Sequence, residues 1–562
     1  MASEPVIHCI LLAALVGTWA SVTDAPVLHG QITVKREAGH WRGTIANVVA
    51  SDAETDARVR LVFPSGQGEF RGDIVPNGTL DGFWLQPPTV SGEAYASPLV
   101  LRAVSSNVWR GVVQPLHDRF SLYLTISRGS DGALTGAFRN PESHGGELRF
   151  AVTQKGDALQ FQRQGMQLRA TLTPAGIEML WPEMGKTVRL TRLPADAIDL
   201  YPRRADVAAY VYQQPPDTGD GWATARAAVE GLDEAMLARL VQRLGSPDSA
   251  VRQNALIHSL LIARHGKLVL DEYFFGFDRD TVHDLRSAGK TYASVMLGSA
   301  MMRRIAISPD TRIYGLLQSM GPFANPDPRK ALITLANLMT HASGLACDDN
   351  DDASPGNEDR MQSQTQQPNW WKYTLDLSLL YDPGTHYAYC SAGMNLVGAA
   401  LTTSTQTWLP QWFDSTVARP LQFGTYYWNL MPTGEGYMGG GAFVRPRDLL
   451  KLGQAYLDGG EWNGRRIVDA SWVALSTAPH SPPTDATSGT FDGYAWHLGT
   501  LHVGDRSYRE YNAGGNGGQL LIVIPDLDMT IVFTAGNYGQ YGVWGKFLTQ
   551  IVPQEIIPAV RN

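Results

Sequence analysis

The chain has 562 residues, 44% hydrophobic and 18% charged, with 46 Lys and Arg against 54 Asp and Glu, a formal charge of −8. This apolar fraction excludes a mainly disordered chain, and the acidic balance leaves no basic surplus to neutralise phosphates, so no nucleic-acid partner is expected. At about 150 residues per domain the length accommodates several domains.

The first element is an apolar run from Val6 to Ala20, too short and, at His8, too polar for a confident spanning helix. Residues 1–25 read as a signal peptide cleaved near Ala20 or Ala25. Export to the periplasm or medium follows, with no stable membrane span once the leader is removed. The competing reading keeps the run attached, as a core or anchoring segment. Cysteine usage agrees with export: loss of Cys9 with a leader leaves Cys347 and Cys390.

Residues 26–195 read as an all-β domain, barrel- or sandwich-like. Gln31–Lys35, Arg58–Phe63 and Phe120–Ile126 alternate with period two, and Asn77-Gly78 and Asp131-Gly132 are turn dipeptides. Trp41-Arg-Gly43, Phe70-Arg-Gly72 and Trp109-Arg-Gly111 form a weak echo, as do Leu80-Asp-Gly-Phe-Trp84 and Leu134-Thr-Gly-Ala-Phe138. Repeated hairpins with stacked core aromatics would give this pattern; a carbohydrate-binding face is the less favoured alternative. No catalytic constellation is visible here, and the partner of this domain is not specified.

Residues 196–222, rich in Pro and Gly, read as a linker, and 223–562 as an α+β body. A helix is expected over Leu232–Leu244, and a hairpin over Ser259–Tyr273 turning at His265-Gly266.

Ser287-Ala-Gly-Lys290 is the chain's single Ser-x-x-Lys, followed by an apolar helical run to Met302. On a helix, positions i and i+3 share a face, so the hydroxyl and amine can meet. A desolvated lysine loses part of its preference for the charged form and can take the proton of a serine nucleophile. Alone the pattern is weak. Its context is richer: Pro383 to Gly398 reads as turn, extended piece and helix, Arg445 to Gly460 as a helix with a Gly stop, and Asn512 to Gln519 as a Gly-rich entry into a strand.

In this order the set resembles the serine β-lactamase and penicillin-binding-protein superfamily, nearest its class C β-lactamase-related esterases and 6-aminohexanoate-dimer hydrolases. The resemblance spans roughly Tyr210 to Val552, including Asp220-Gly-Trp222, His341-Ala-Ser-Gly-Leu345 and Gly439-Gly-Gly-Ala442. It implies an antiparallel sheet flanked by helices, with a helical subdomain. It also implies Ser287 as nucleophile, Lys290 as its activating lysine, and Tyr389 as the tyrosine that shares proton transfer. Ser391 stands where the family carries an amide-binding asparagine. For the third motif Asn516-Gly-Gly518 is the preferred match and Ala513-Gly-Gly515 the rival register; in the first, the N–H groups of Ser287 and Gln519 form the oxyanion hole.

The implied activity is hydrolysis of a small-molecule carboxylic ester or amide through an acyl-enzyme, with no cofactor and no metal. A D-Ala-D-Ala carboxypeptidase or β-lactamase is the alternative enzyme, and a binding or sensor module that acylates without turnover the non-enzymatic one. The third motif lacks a positive charge in either register, so substrates uncharged at that end are expected unless Arg445 or Arg509 substitutes. Cys347 and Cys390 are expected to form a disulfide, each lying near the site in this fold family. Asp348, Asn350, Asp352 and Asp359 match calcium-loop positions, but Ala353 stands where that loop needs glycine, so a solvated acidic loop is favoured. Trp370 and Trp371 could wall a cleft or pack in the core.

Overall fold

A computed structural model describes residues 15–194 without 26, 38, 51, 55–57, 89–92 and 182–185, residues 209–484 without 249, 250 and 252, and residues 491–561. The all-β region expected as one domain is two units. One is a closed eight-stranded antiparallel barrel made by strand Gly17–Asp24 and the seven strands between Arg119 and Arg192. The other is a sheet of the strands between Gly30 and Val113, with its own core around Ile32, Trp41, Phe70, Trp84 and Trp109. Trp41, Phe70, Trp84 and Trp109 of the echo are buried in that core, Trp41 against Trp109 with ring centroids 5.2 Å apart, and Phe138 is buried in the barrel core, so the core reading of the repeat holds.

The barrel takes in residues on the leader side of the boundary expected at residue 25. Gly17–Asp24 pairs with Arg119–Arg128 on one side and with Arg192 and Thr191 on the other, and Leu15 and Trp19 lie in the barrel core. Cleavage at Ala20 or Ala25 would remove the closing strand. Thr18, Trp19, Ala20 and Ser21 are all buried in the barrel, on a strand paired on both sides. Residues 1–14, which hold most of the apolar run, lie outside the described residues. Among the described residues no helix is long and apolar enough to cross a membrane.

Part of the expected linker, 196–208, also lies outside the described residues. The remainder packs on the α+β body: Tyr212 donates to the carbonyl of Val269 at 2.7 Å, and Asp220 pairs with Arg447 at 3.2 Å. That body is built on an eight-stranded sheet running from Ala223–Thr224 through the hairpin Ile257–Arg264 and Lys267–Tyr273 to the C-terminal strands. The hairpin turns at His265 (φ 49°) and Gly266 (φ 71°), the left-handed pair that a two-residue turn requires. Gln519–Ile524 and Met529–Ala535 are buried throughout because both faces are covered. Leu521, Val523 and Val532 meet the layer holding helix Thr291–Met302, whereas Ile522, Ile524, Ile531 and Phe533 meet helix Glu234–Leu244 and the C-terminal segment.

The N-terminal sheet does not stop at its own boundary. Strand Ala94–Ser105 pairs with Tyr427–Leu430 of the α+β body, which pairs with Ala442–Val444, which pairs with His283–Asp284. The last strand ends three residues before Ser287. One hydrogen-bonded ladder thus runs from the N-terminal domain to the doorstep of the Ser-x-x-Lys turn.

Candidate active site

Ser287 and Lys290 sit on a 3-10 turn, Arg286–Lys290, that leads directly into the buried helix Thr291–Met302. Arg286 has φ 49°, a left-handed conformation unusual for a non-glycine residue. It is held there by Asp284, whose carboxylate accepts from the Arg286 backbone N–H at 2.9 Å and pairs with its guanidinium at 2.7 Å. Gly440 (φ 144°) backs the same turn. A Cβ there would lie 2.9 Å from the Arg286 carbonyl, so only glycine allows this approach.

Lys290 is buried and its Nζ donates to Ser287 Oγ at 2.9 Å. The Tyr389 hydroxyl is hydrogen-bonded to both Ser287 and Lys290. Burial acts to lower the Lys290 pKa, but Tyr389 and the carboxylates of Glu358 and Asp349 outweigh it and hold the amine above its ordinary value. The lysine is therefore an ammonium at rest, not the desolvated neutral amine expected from its burial. Burial raises Tyr389 against the opposing pull of Lys290, so its phenol rests neutral.

Three ties fix Tyr389. Its carbonyl accepts from the N–H of Asp349 at 2.8 Å, and its ring lies 4.3 Å from that of His341. His341 Nδ1 accepts from the N–H of Cys390 at 3.1 Å; burial lowers its pKa to about 3, which keeps it a neutral acceptor. Cys347 and Cys390 are disulfide-bonded, with Cα atoms 5.5 Å apart. The bridge closes a sequence separation of 43, which chain entropy makes worth about 4 kcal/mol. A Cys347→Ala/Cys390→Ala variant should unfold at a lower denaturant midpoint and lose turnover through a looser Tyr389; an unchanged midpoint would refute the stabilising role.

Ser287 and Tyr389 open into a cleft of about 230 Å³ lined by Glu93, Asp284, Arg286, Asp349, Glu358, Asp359, Asn429 and Asn516 among others. Glu93, Asp359 and Gln362 also line a groove of about 750 Å³ between the N-terminal sheet and the body, walled by Trp370. With the family's landmarks now in place around a Ser–Lys–Tyr cluster, sequence comparison fits the geometry: the Beta-lactamase family profile matches residues 226–540.

The chain belongs to the beta-lactamase family. Among curated relatives of this β-lactamase-family chain is the 6-aminohexanoate-dimer hydrolase of Paenarthrobacter ureafaciens, 26% identical over 288 residues, covering 45% of this chain and 68% of the relative. Solved structures with a similar fold include EstCE1, a hydrolase with promiscuous acyltransferase activity (18% identity, TM-score 0.45, 58% of this chain and 99% of that one). A penicillin-binding-protein homologue from Caulobacter crescentus is also similar (13% identity, TM-score 0.43, 58% and 94%).

Within this β-lactamase-family site the x-Gly-Gly stretch that packs on the Ser-x-x-Lys turn is Ala513-Gly-Gly515. Gly515 ends strand Arg506–Gly515 so close to the Arg286–Lys290 turn that a Cβ would lie 2.2 Å from the Leu285 carbonyl and 3.1 Å from the Ala288 nitrogen. Asn516 lines the cleft, its Oδ1 accepting from the Gly539 N–H at 2.7 Å. Gly517 and Gly518 face Tyr538 and Phe547 instead, and the fully buried Gln519 side chain donates to the Ala535 carbonyl at 2.6 Å. Sequence counting missed this because both registers read x-Gly-Gly; the packing against Leu285 separates them.

Ser391 is not a cleft residue of the β-lactamase-family domain. It is fully buried, and its N–H donates to Asp349 at 2.8 Å. Arg445 pairs with Asp448 and Asp280, and Arg509 lies on an exposed strand position; Arg286 is the arginine that lines the cleft. Trp370 and Trp371 are both core residues, and Trp370 also walls the groove. The acidic loop splits. Asp349, Glu358 and Asp359 turn into the cleft, while Asp348 Oδ1 accepts from the Asn350 N–H at 2.9 Å within a tight turn. Glu93, Asp349 and Glu358 were not legible as site residues: each is placed by a loop or by the N-terminal sheet, with no motif to mark it.

Proposed function

We propose that the chain is a serine hydrolase that cleaves carboxylic esters or small amides through an acyl-enzyme on Ser287. The observation that carries this reading is the hydrogen-bonded Ser287–Lys290–Tyr389 cluster opening on a cleft. Ser287 Oγ attacks the substrate carbonyl carbon as the Lys290–Tyr389 pair, short of one proton, takes the hydroxyl proton. The oxyanion is stabilised by the backbone N–H groups of the cleft residues Ser287 and Asn516. Collapse expels the leaving group, which receives the proton. Water then attacks the ester carbonyl, the same pair takes its proton, and Ser287 is freed with release of the acid.

The alternative reading, a carboxypeptidase or β-lactamase, needs a cation for the substrate carboxylate. Arg286 is the basic side chain lining the cleft, and it is engaged by Asp284 and lies over the Tyr538 ring. A fluorophosphonate probe should label Ser287 and fail to label Ser287→Ala; labelling that survives the substitution would refute the mechanism. Short acyl p-nitrophenyl esters should be hydrolysed and penicillins little or not at all. A burst without steady turnover would instead favour the sensor reading. The disulfide supports residence in an oxidising compartment outside the cytosol, which cell fractionation tests.

A further inference from the structure

We propose that the outer face of the N-terminal sheet is a docking surface for an anionic lipid bilayer, which it touches without spanning.

In strands Gly30–Glu37, His40–Ile45, Ala94–Ser105 and Val108–Val113, alternate residues turn inward, and Ile32, Val34, Trp41, Leu99, Leu101 and Trp109 join the core. Their neighbours turn outward, and four of these are cations. Lys35 stands directly opposite Arg42, and Arg102 directly opposite Arg110. The strands lie in the order His40–Ile45, Gly30–Glu37, Val108–Val113, Ala94–Ser105, so the four charges cross about 15 Å of sheet. All four residues are exposed, and among the described residues none of their side chains is in an ion pair. The acidic side chains nearby do not cancel them. Glu37 lies at the rim, in register with His40, and Asp81, opposite Val100 on the next strand, is engaged by Arg419 of the α+β body.

Like charges directly opposite each other destabilise a sheet. A register that sets two such pairs side by side, in a chain of formal charge −8, has no rationale in folding. A negatively charged surface outside the chain supplies one. A second observation separates a bilayer from a soluble polyanion. Val100 and Val112 lie two residues from Arg102 and Arg110, hence on the same face, and are 42% and 57% exposed. Apolar side chains among cations gain nothing from a polyanion in water. In the headgroup layer of a membrane they add buried apolar area to the attraction between cations and anionic lipid. None of these six residues lines the catalytic cleft, so docking and turnover are separable.

The test is flotation of the full-length protein with phosphatidylcholine vesicles, with and without phosphatidylglycerol as about a third of the lipid. Binding to the anionic vesicles should exceed binding to the neutral ones about tenfold at low salt, and should fall as salt is raised. Arg102→Gln/Arg110→Gln should cut it about tenfold. The same variant should keep a denaturant midpoint equal to or above that of the wild type, because it removes a like-charge pair. Val100→Ser/Val112→Ser should weaken vesicle binding several-fold and leave retention on immobilised heparin at the wild-type level. Equal or no binding to the two kinds of vesicle, or binding that the arginine variant keeps, would overturn the proposal. Vesicle binding unchanged in the valine variant would reassign the face to a soluble polyanion and refute the bilayer. A lower midpoint in the arginine variant would show that the cations serve the fold and would remove the reason for a partner.

Discussion

Replacing Lys290 by alanine should lower kcat/KM on an activated ester by roughly 10³-fold, the scale of a lost general base, with KM changed far less. The pH dependence carries the mechanistic content. At neutral pH the pair holds both its protons, because Tyr389, Glu358 and Asp349 keep Lys290 charged and burial keeps Tyr389 neutral. The form that can accept the Ser287 proton is then a minority species that grows as pH rises. kcat/KM should therefore climb through neutrality into the alkaline range instead of reaching a plateau near pH 7. Asp349→Asn withdraws one of the charges that hold the ammonium and should move this limb to lower pH. Tyr389→Phe should also depress turnover more than binding. A flat profile, or full activity in either the Lys290 or the Tyr389 variant, would refute the roles assigned to them.

Acid should loosen the barrel from the body. Three buried histidines meet at that junction: His144 from the barrel stacks on His283 at 4.6 Å, and His258 Nδ1 lies 3.1 Å from His283 Nε2. Burial lowers His283 to about 4, and lowers His144 and His258 well below their usual range. The neighbouring charges on His144 and His258 are positive, Arg286 and Arg139, and add to the effect; for His283, Asp278 pulls weakly the other way. The folded pKa values are depressed, so below about pH 6.5 the separated rings bind protons that the docked ones refuse. Docking is fully stabilised above that pH and is lost progressively toward pH 4, with His283 alone worth about 3 kcal/mol.

Several carboxyls raised by burial, Glu510 to about 7 among them, titrate in the opposite sense, so the comparison is between variants and wild type. Amide hydrogen exchange around Phe274–Phe277 should accelerate between pH 6.5 and 4, and His283→Asn should flatten that response. Arg139, which donates to the Phe275 carbonyl at 2.7 Å across the same junction, makes this segment the reporter. Exchange that does not vary with pH would show that the histidines do not govern docking.

Much of the body was readable because its cues are local. The His265-Gly266 turn, the Glu234–Leu244 helix and the Ser-x-x-Lys turn each depend on a few adjacent residues, and the structure places them close to where periodicity and turn chemistry put them. What escaped depends on distant packing. The register of the third motif is set by Gly515 against Leu285, more than two hundred residues away in sequence. The division of the N-terminal region into barrel and sheet follows from which edges pair, and period-two alternation is the same in both. Strand Gly17–Asp24 is ambiguous in sequence because the residues that make it a buried barrel strand also suit a leader. Glu93 entered the cleft through a strand pairing that no linear pattern announces.

That pairing also bears on how the protein can be cut. A fragment beginning near residue 209 would retain the Ser–Lys–Tyr cluster and most of the family's landmarks, and would look like a self-sufficient enzyme. It would also bare the outer edge of Tyr427–Leu430, a buried four-residue strand whose N–H and C=O groups now face Ala94–Ala96. Such a naked edge invites the same strand of a second molecule to bind in place of the lost one. The isolated body should self-associate, and solubility trials on truncations should improve only when the cut spares the strand Ala94–Ser105.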